Sequence, residues 1–417
     1  MIKRLIFLGA VALVSGVGIR MSTVPVPAVA RVPHAAVLAA RSDAPTDGSV
    51  RSVGWKALWT RPTPNFVAMS LAPDGTNAAW VDKNGSVRRI VCATGQTQWQ
   101  SAPLADINEV RVSGQGTVLA FSHWNPAKPN VRVLDAAQGE RRSSLVPLDG
   151  AVWEAALAPN GKTALITTGK ASLYAVPLRQ DAVFPGVPVK LPGIAESVAL
   201  APGNTANAPL LLLGTWQHGG VCAWGMNQVP RWRHDERQPQ RTYDVSLSTD
   251  GSTAIAVSSE GADHNAARLH VWDARTGKMQ WVEDLGGFDA RAAVSADGNA
   301  ISVTWAQASS YSTGSDGVER RVALFGRDGR RKFADKGSHF FAPELVALSA
   351  DGERLTVRDE AGVLWTLNGR GHTIGRLRLP APNGNVPLLR ETQTTPDGKY
   401  LLVHRGDGSL TLYQAVP

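Results

Sequence analysis

One short phrase returns eight times along this chain, and its spacing constrains the fold more than any other feature. Each copy is an apolar run, a small residue, a Pro/Ala/Thr–Asp/Asn–Gly turn or a variant of it, and a second apolar run. The first copy is Leu71-Ala72-Pro73-Asp74-Gly75 and the last is Thr394-Thr395-Pro396-Asp397-Gly398. Between them lie copies ending at Gly116, Gly161, Gly203, Gly251, Gly298 and Gly352, the copy at Pro202-Gly203 being the weakest. The shortest step, Gly75 to Gly116, is 41 residues, and the longest, Gly298 to Gly352, is 54. A period of about 40–50 residues is that of a four-stranded propeller blade.

The phrase is a hairpin signal. Gly takes positive φ without steric cost, and Asp or Asn tolerates the left-handed region. A third strand follows in each repeat, as in Val131–Leu134, Leu269–Trp272, Val322–Phe325, Val363–Thr366 and Leu410–Tyr413, and then a second Gly turn and a fourth strand. The last repeat stops one strand short, while an orphan strand, Trp55–Trp59, precedes the first. Pairing the two closes the ring and removes two free sheet edges. The expectation is all-β: a single β-propeller of eight four-stranded blades, or seven if the weak copy is a decoy, closed by the N-terminal strand.

The first 52 residues carry no repeat. Lys3 and Arg4 precede the apolar run Leu5–Val14, and small residues including Ala28-Val29-Ala30 follow. This is the pattern of a signal peptide over residues 1–30, which makes the protein exported, periplasmic or secreted. Residues 31–52, rich in Pro, Ala and Ser, read as a flexible linker. The propeller then spans residues 53–417. Cys92 and Cys222 stand three repeats apart and read as buried free thiols.

The net charge is +8, and removal of residues 1–30, with three basic residues and no acid, leaves +5. Spread over a large surface, this excess is weak evidence for any anionic partner. The densest basic cluster is Arg327-Asp328-Gly329-Arg330-Arg331-Lys332, on a turn. Either solvation of that turn or contact with an anionic surface accounts for it.

Two repeat styles are visible. The Ser/Ala–Pro–Asp–Gly turns and Val271-Trp272-Asp273 resemble tryptophan–aspartate (WD) repeats. Thr94-Gly95-Gln96-Thr97-Gln98-Trp99 and Thr276-Gly277-Lys278-Met279-Gln280-Trp281 resemble the tryptophan-docking motif of quinoprotein-type propellers, with weaker echoes at Arg231-Trp232 and Lys332-Phe333. The resemblance implies the fold and leaves the function open. It also implies that most of the 13 Trp residues are wedges between blades.

The Asp-Gly and Thr-Gly turns fall on one face of such a propeller. The other face has loops of unequal length, the long ones being His123–Asn130, Ser258–Asn265 and Ala306–Arg320. Loops that outgrow their repeat are where binding concentrates. At the ends of second strands lie Trp80, His123, Trp124, Trp216, His218, Trp305, His404 and Arg405. Their equivalent repeat positions place them as a candidate ring at the central mouth; packing of each Trp into the next blade is the alternative.

No nucleophile elbow, zinc-protease motif or phosphate-binding loop is present. A quinone-dependent relative is expected to show adjacent cysteines, and these are absent, so no cofactor residue carries over and no metal site is expected. The reading is therefore a non-enzymatic binding or scaffold protein. Its partner would be a protein, peptide or glycan rather than nucleic acid, met by a monomer at the periphery of the cell envelope. The alternative is a propeller enzyme, a quinone-dependent dehydrogenase or a hydrolase or lyase, with its site at the central mouth.

Overall fold

The recurring phrase is a capped hairpin. Ser248 Oγ donates to Asp250 Oδ1 at 2.6 Å and accepts the Thr253 N–H at 2.9 Å, while Asp250 Oδ1 accepts the Ser252 N–H at 2.9 Å. Gly251 completes the turn at φ +66, where a side chain would be strained. The same three bonds recur at Ser295–Asp297, Ser349–Asp351 and Thr395–Asp397. The small residue of the phrase is thus a hydroxyl that spans the turn. Where it is Ala, as at Ala72 and Ala158, the cap rests on Asp74 or Asn160 alone.

The computed structural model describes residues 54–416, apart from 124, 126–130, 138, 140–147, 159, 179–187, 201–209, 217–219, 226–228, 235–240, 261–265, 309–317, 336–343, 360–362, 379–388 and 406. The signal peptide and linker expected over residues 1–52 lie outside these residues, as do the weak turn at Pro202-Gly203 and parts of the three long loops. Residues 51–417 form one compact unit. Every element described in it is a strand.

The strands run as antiparallel meanders, each a repeat of the sequence. Among the described residues seven hydrogen-bonded sheets result, one of them eight-stranded. That large sheet is two meanders, Ile194–His234 and Arg241–Asp284, joined by a single bridge between Trp216 and Arg241. A count by sheet gives seven and a count by meander gives eight; the bridge is the whole difference. We number the meanders as units one to eight from Phe66. Unit two shows three strands among the described residues.

The first strands of the units lie side by side around the centre, and that of unit eight, Leu389–Thr394, lies beside that of unit one, Phe66–Leu71. Gln393 closes this seam like a missing bridge. Its Oε1 accepts the Leu71 N–H and its Nε2 donates to Met69 O, both at 2.8 Å. The orphan strand, Gly54–Pro62, pairs with Ser409–Val416 and becomes the fourth strand of unit eight. The core is a set of eight buried apolar clusters among the described residues, one at each boundary between units.

The outer wall is stapled by aromatics. Trp59, Trp99, Trp232 and Trp281 each donate the indole N–H to a carbonyl of the next unit: Cys92 O at 2.7 Å, Ala136 O at 3.2 Å, Ala274 O at 2.8 Å and Arg327 O at 2.8 Å. Each ring lies on the Gly of that unit's second turn. A Cβ on Gly277 would stand 2.4 Å from Trp232 Cγ, and one on Gly95 would stand 2.5 Å from Trp59 Cγ. The residue before each aromatic is an extra one, unpaired in the ladder: Leu58, Gln98, Arg231 and Gln280. Such a bulge re-aims the side chain that follows. Phe333 repeats the arrangement over Gly371, after the bulge at Lys332.

Both cysteines are buried, and neither is in a disulfide. Burial pushes the Cys92 thiol up to about 12, so it is an inert packing group.

Candidate functional site

The face opposite the Asp-Gly turns separates the predicted ring into groups. Trp80 and His404 come together, but within the seam between units eight and one. Phe66 stacks on His404 with centroids 3.6 Å apart and lies 6.5 Å from Trp80. The Arg88 guanidinium covers Trp80 at 4.4 Å and pairs with Asp82 at 3.1 Å. Trp80 is 3% exposed and His404 1%, so this stack is wall rather than mouth. Arg405 lies beside it, 9% exposed and paired with Asp407 at 2.9 Å.

Trp305 stands apart, in the apolar wedge between units five and six with Ile255, Leu269 and Phe325. Its indole N–H is buried without an acceptor among the described residues. Trp124 and His218 lie outside the described residues. Trp216 is placed by its backbone alone, paired with Ile194 and Arg241 at the bridge between units four and five.

His123 is the member of the ring that the structure leaves half-buried on this face. Asn108 holds its backbone, accepting the His123 N–H at 2.7 Å and donating to His123 O at 3.2 Å. Its imidazole meets Trp153 edge-on, 6.4 Å between centroids. Trp153, half-buried, is the extra residue of a bulge in the first strand of unit three. Nothing in the repeat pattern of the sequence marks it.

Beside Trp153 runs a chain of charges along the central wall. Arg111 pairs with Glu154 of unit three at 2.7 Å and with Glu109 at 3.1 Å. Burial opposes the guanidinium charge, but the two carboxylates outweigh it and raise the Arg111 pKa. Across the ring, Asp244 in the first strand of unit five accepts the Ala292 N–H of unit six at 3.4 Å and faces Arg291. Burial pushes the Asp244 carboxyl up to about 6 against the pull of Arg291, Ala292 and Ser197. A signal for these residues was present. Glu109, Glu154, Asp244, Arg291 and Glu391 each stand seven residues before a turn Gly.

One cluster has the outline of a nucleophile and base. Lys190 Nζ donates to Ser172 Oγ at 2.6 Å, and Ser172 Oγ donates to Asp149 Oδ2 at 2.6 Å. Burial would raise the Asp149 pKa, but its bonds from Ser172, Lys190 and Thr168 hold it down to about 2. Lys190 Nζ also donates to Asp149 Oδ2 at 3.0 Å, so the amine is a donor to both partners. Ser172 is fully buried. The trio fastens a hairpin of unit three. Among the described residues, no group of three or more His, Cys, Asp or Glu is placed to hold a metal ion.

No protein-family model matches the chain, and no curated protein matches it in sequence. Solved structures do match in fold. BamB from Moraxella catarrhalis is 16% identical over 86% of this chain and 99% of that chain, with a TM-score of 0.60. The Dos1 propeller is 11% identical over 86% and 95%, also at 0.60. A chain of Kuenenia stuttgartiensis hydrazine synthase is 12% identical over 84% and 96%, at 0.51. At these identities the likeness is one of fold: the chain is a β-propeller repeat protein.

Proposed function

We propose that this is an exported, non-enzymatic propeller that binds or scaffolds a protein, peptide or glycan through the face opposite the Asp-Gly turns. The observation that carries the reading is the contrast between the two faces. Seven of the eight connections between first and second strands are five residues long. Those between second and third strands run from three residues, as in 169–171, to nine, in 122–130 and 309–317. Turns that only close hairpins keep one length, and loops that meet a partner do not. The half-buried pair His123 and Trp153 sits where a long loop reaches the central wall, and Trp124, Trp216 and His218 complete the proposed contact. The likeness to BamB supports a binding role, and the fold is equally at home in a hydrazine synthase chain. The reading takes no cofactor.

Photo-crosslinking tests it. A crosslinking residue at Asn125 or His123 should trap a partner in the native host, and one at Thr249, on the turn face, should not. Trapping from Thr249 alone would overturn the assignment of the face. A shift in melting temperature with pyrroloquinoline quinone and Ca²⁺, together with turnover of an alcohol, would overturn the non-enzymatic reading.

A further inference from the structure

We propose that the outer rim of units six and seven is a docking surface for an anionic lipid bilayer, independent of what the loop face binds. The segments 326–335 and 368–378, which are second turns and outermost strands, hold seven Arg or Lys against two Asp. The two rims are continuous, because the Phe333 ring of unit six packs on Gly371 of unit seven, 2.9 Å from where a Cβ would stand. Arg330 has 90% of its side chain exposed. Arg370, Arg376 and Arg378 are exposed and take part in no ion pair among the described residues, Arg376 and Arg378 alternating along the edge strand Thr373–Arg378. The four bases of unit six are paired, Arg327 with Asp273 at 3.9 Å, Arg330 with Asp328 at 3.4 Å, Arg331 with Glu283 and Lys332 with Glu353 at 3.8 Å, but these pairs are partly to largely exposed and weakly held.

Edge protection alone does not require one sign of charge. The corresponding edge of unit five, Met279–Asp284, ends in Glu283 and Asp284 and exposes Val282. The basic rim exposes no large apolar side chain; those described are Leu58, Val67, Val229 and Val282, all elsewhere. A protein interface is built on a buried apolar or aromatic centre, and this surface offers none. Single-stranded nucleic acid is held by aromatics stacked on its bases, and the one aromatic of the rim, Phe333, is already packed. The exposed Arg370, Arg376 and Arg378 of unit seven, continuous with the exposed and loosely paired Arg330 of unit six, fit a surface of phosphate headgroups.

Sedimentation of the full chain with vesicles tests the assignment. Vesicles of phosphatidylcholine with phosphatidylglycerol should retain the protein, pure phosphatidylcholine vesicles should not, and high salt should release it. Reversing Arg330, Arg370, Arg376 and Arg378 to Glu should weaken retention at least about tenfold. Lys83→Glu with Lys162→Glu, on exposed turns of units one and three, should leave it unchanged. Thermal melts confirm folding, and R376E/R378E carries the same test should the fourfold variant not fold. Undiminished retention of a folded variant overturns the proposal. So does tighter binding to polyuridylate or to polyglutamate than to the anionic vesicles.

Discussion

An indole N–H aimed at one carbonyl decides what each outer Trp does. Trp281 donates to Arg327 O at 2.8 Å and lies 5.5 Å from the Phe325 ring. Truncating it removes a wedge and leaves that carbonyl without its donor, so Trp281→Ala should cost about 3 kcal/mol, read as a lowered denaturation midpoint. The Gly beneath each ring is as constrained. Gly277 holds φ +72 with Trp232 against it, so Gly277→Ala combines left-handed strain with a clash. Its expected cost is about 1–2 kcal/mol for the backbone alone. Gly251, at φ +66 with nothing within 4 Å of its missing Cβ, supplies the control: Gly251→Ala should show the backbone cost without the clash. Equal losses at the two sites would mean that the ring moves aside freely.

At the scale of the strand, one inserted residue sets which neighbour each Trp reaches. In Gly54–Pro62, Ala57 pairs with Tyr413 and Trp59 with Leu412, so Leu58 is extra. Trp55 and Trp59 would share a face in a regular strand. The bulge separates them: Trp55 Nε1 reaches Thr366 Oγ1 of unit seven at 3.3 Å, and Trp59 reaches Cys92 O of unit one. Leu58 itself is 36% exposed. Leu58→Ala should therefore change stability by about 0.5 kcal/mol or less. Deleting Leu58 should cost several-fold more, because it sends Trp59 toward the wrong unit; chemical denaturation of the two variants distinguishes the cases. Period and turn chemistry made the closing strand legible in the sequence, but not the docking role of Trp59. The Thr-Gly turn that marks Trp99 and Trp281 is missing before Trp59, because the third and fourth strands of unit eight come from opposite ends of the chain. The candidate ring was legible for a similar partial reason. Repeat equivalence places Trp80, His404 and Trp305 on one side of the molecule, but whether a side chain turns to the mouth or into a wedge depends on bulges and neighbours. Trp153 escaped notice because its bulge leaves no mark in the period.

Across the whole ring, charged groups on the first strands sit where eight units converge, and their titration reports on closure. Asp244 of unit five bonds unit six through the Ala292 N–H, faces Arg291, and is hydrogen-bonded by Ser197 of unit four. Its carboxyl is pushed up to about 6, against about 3.9 for an unfolded Asp. Between those values the folded chain binds more protons than the unfolded one. Stability therefore falls as pH rises from about 4 to about 6, and the contribution of the protonated form is gone above that window. The expected loss is on the order of 2 kcal/mol. Asp149 has the opposite sign in a different range: held down to about 2, it stabilises the fold above about 4 and is lost only in stronger acid, so it leaves the Asp244 window clear. Urea midpoints measured across pH 4 to 7 should decline with rising pH in the native chain, and Asp244→Asn, which keeps an acceptor but cannot ionise, should flatten the decline. A slope that survives the substitution would place the titrating group elsewhere in the ring. A slope that vanishes would show that a carboxylate at the junction of three units is carried at a cost in stability near neutral pH, which Arg291 offsets only in part.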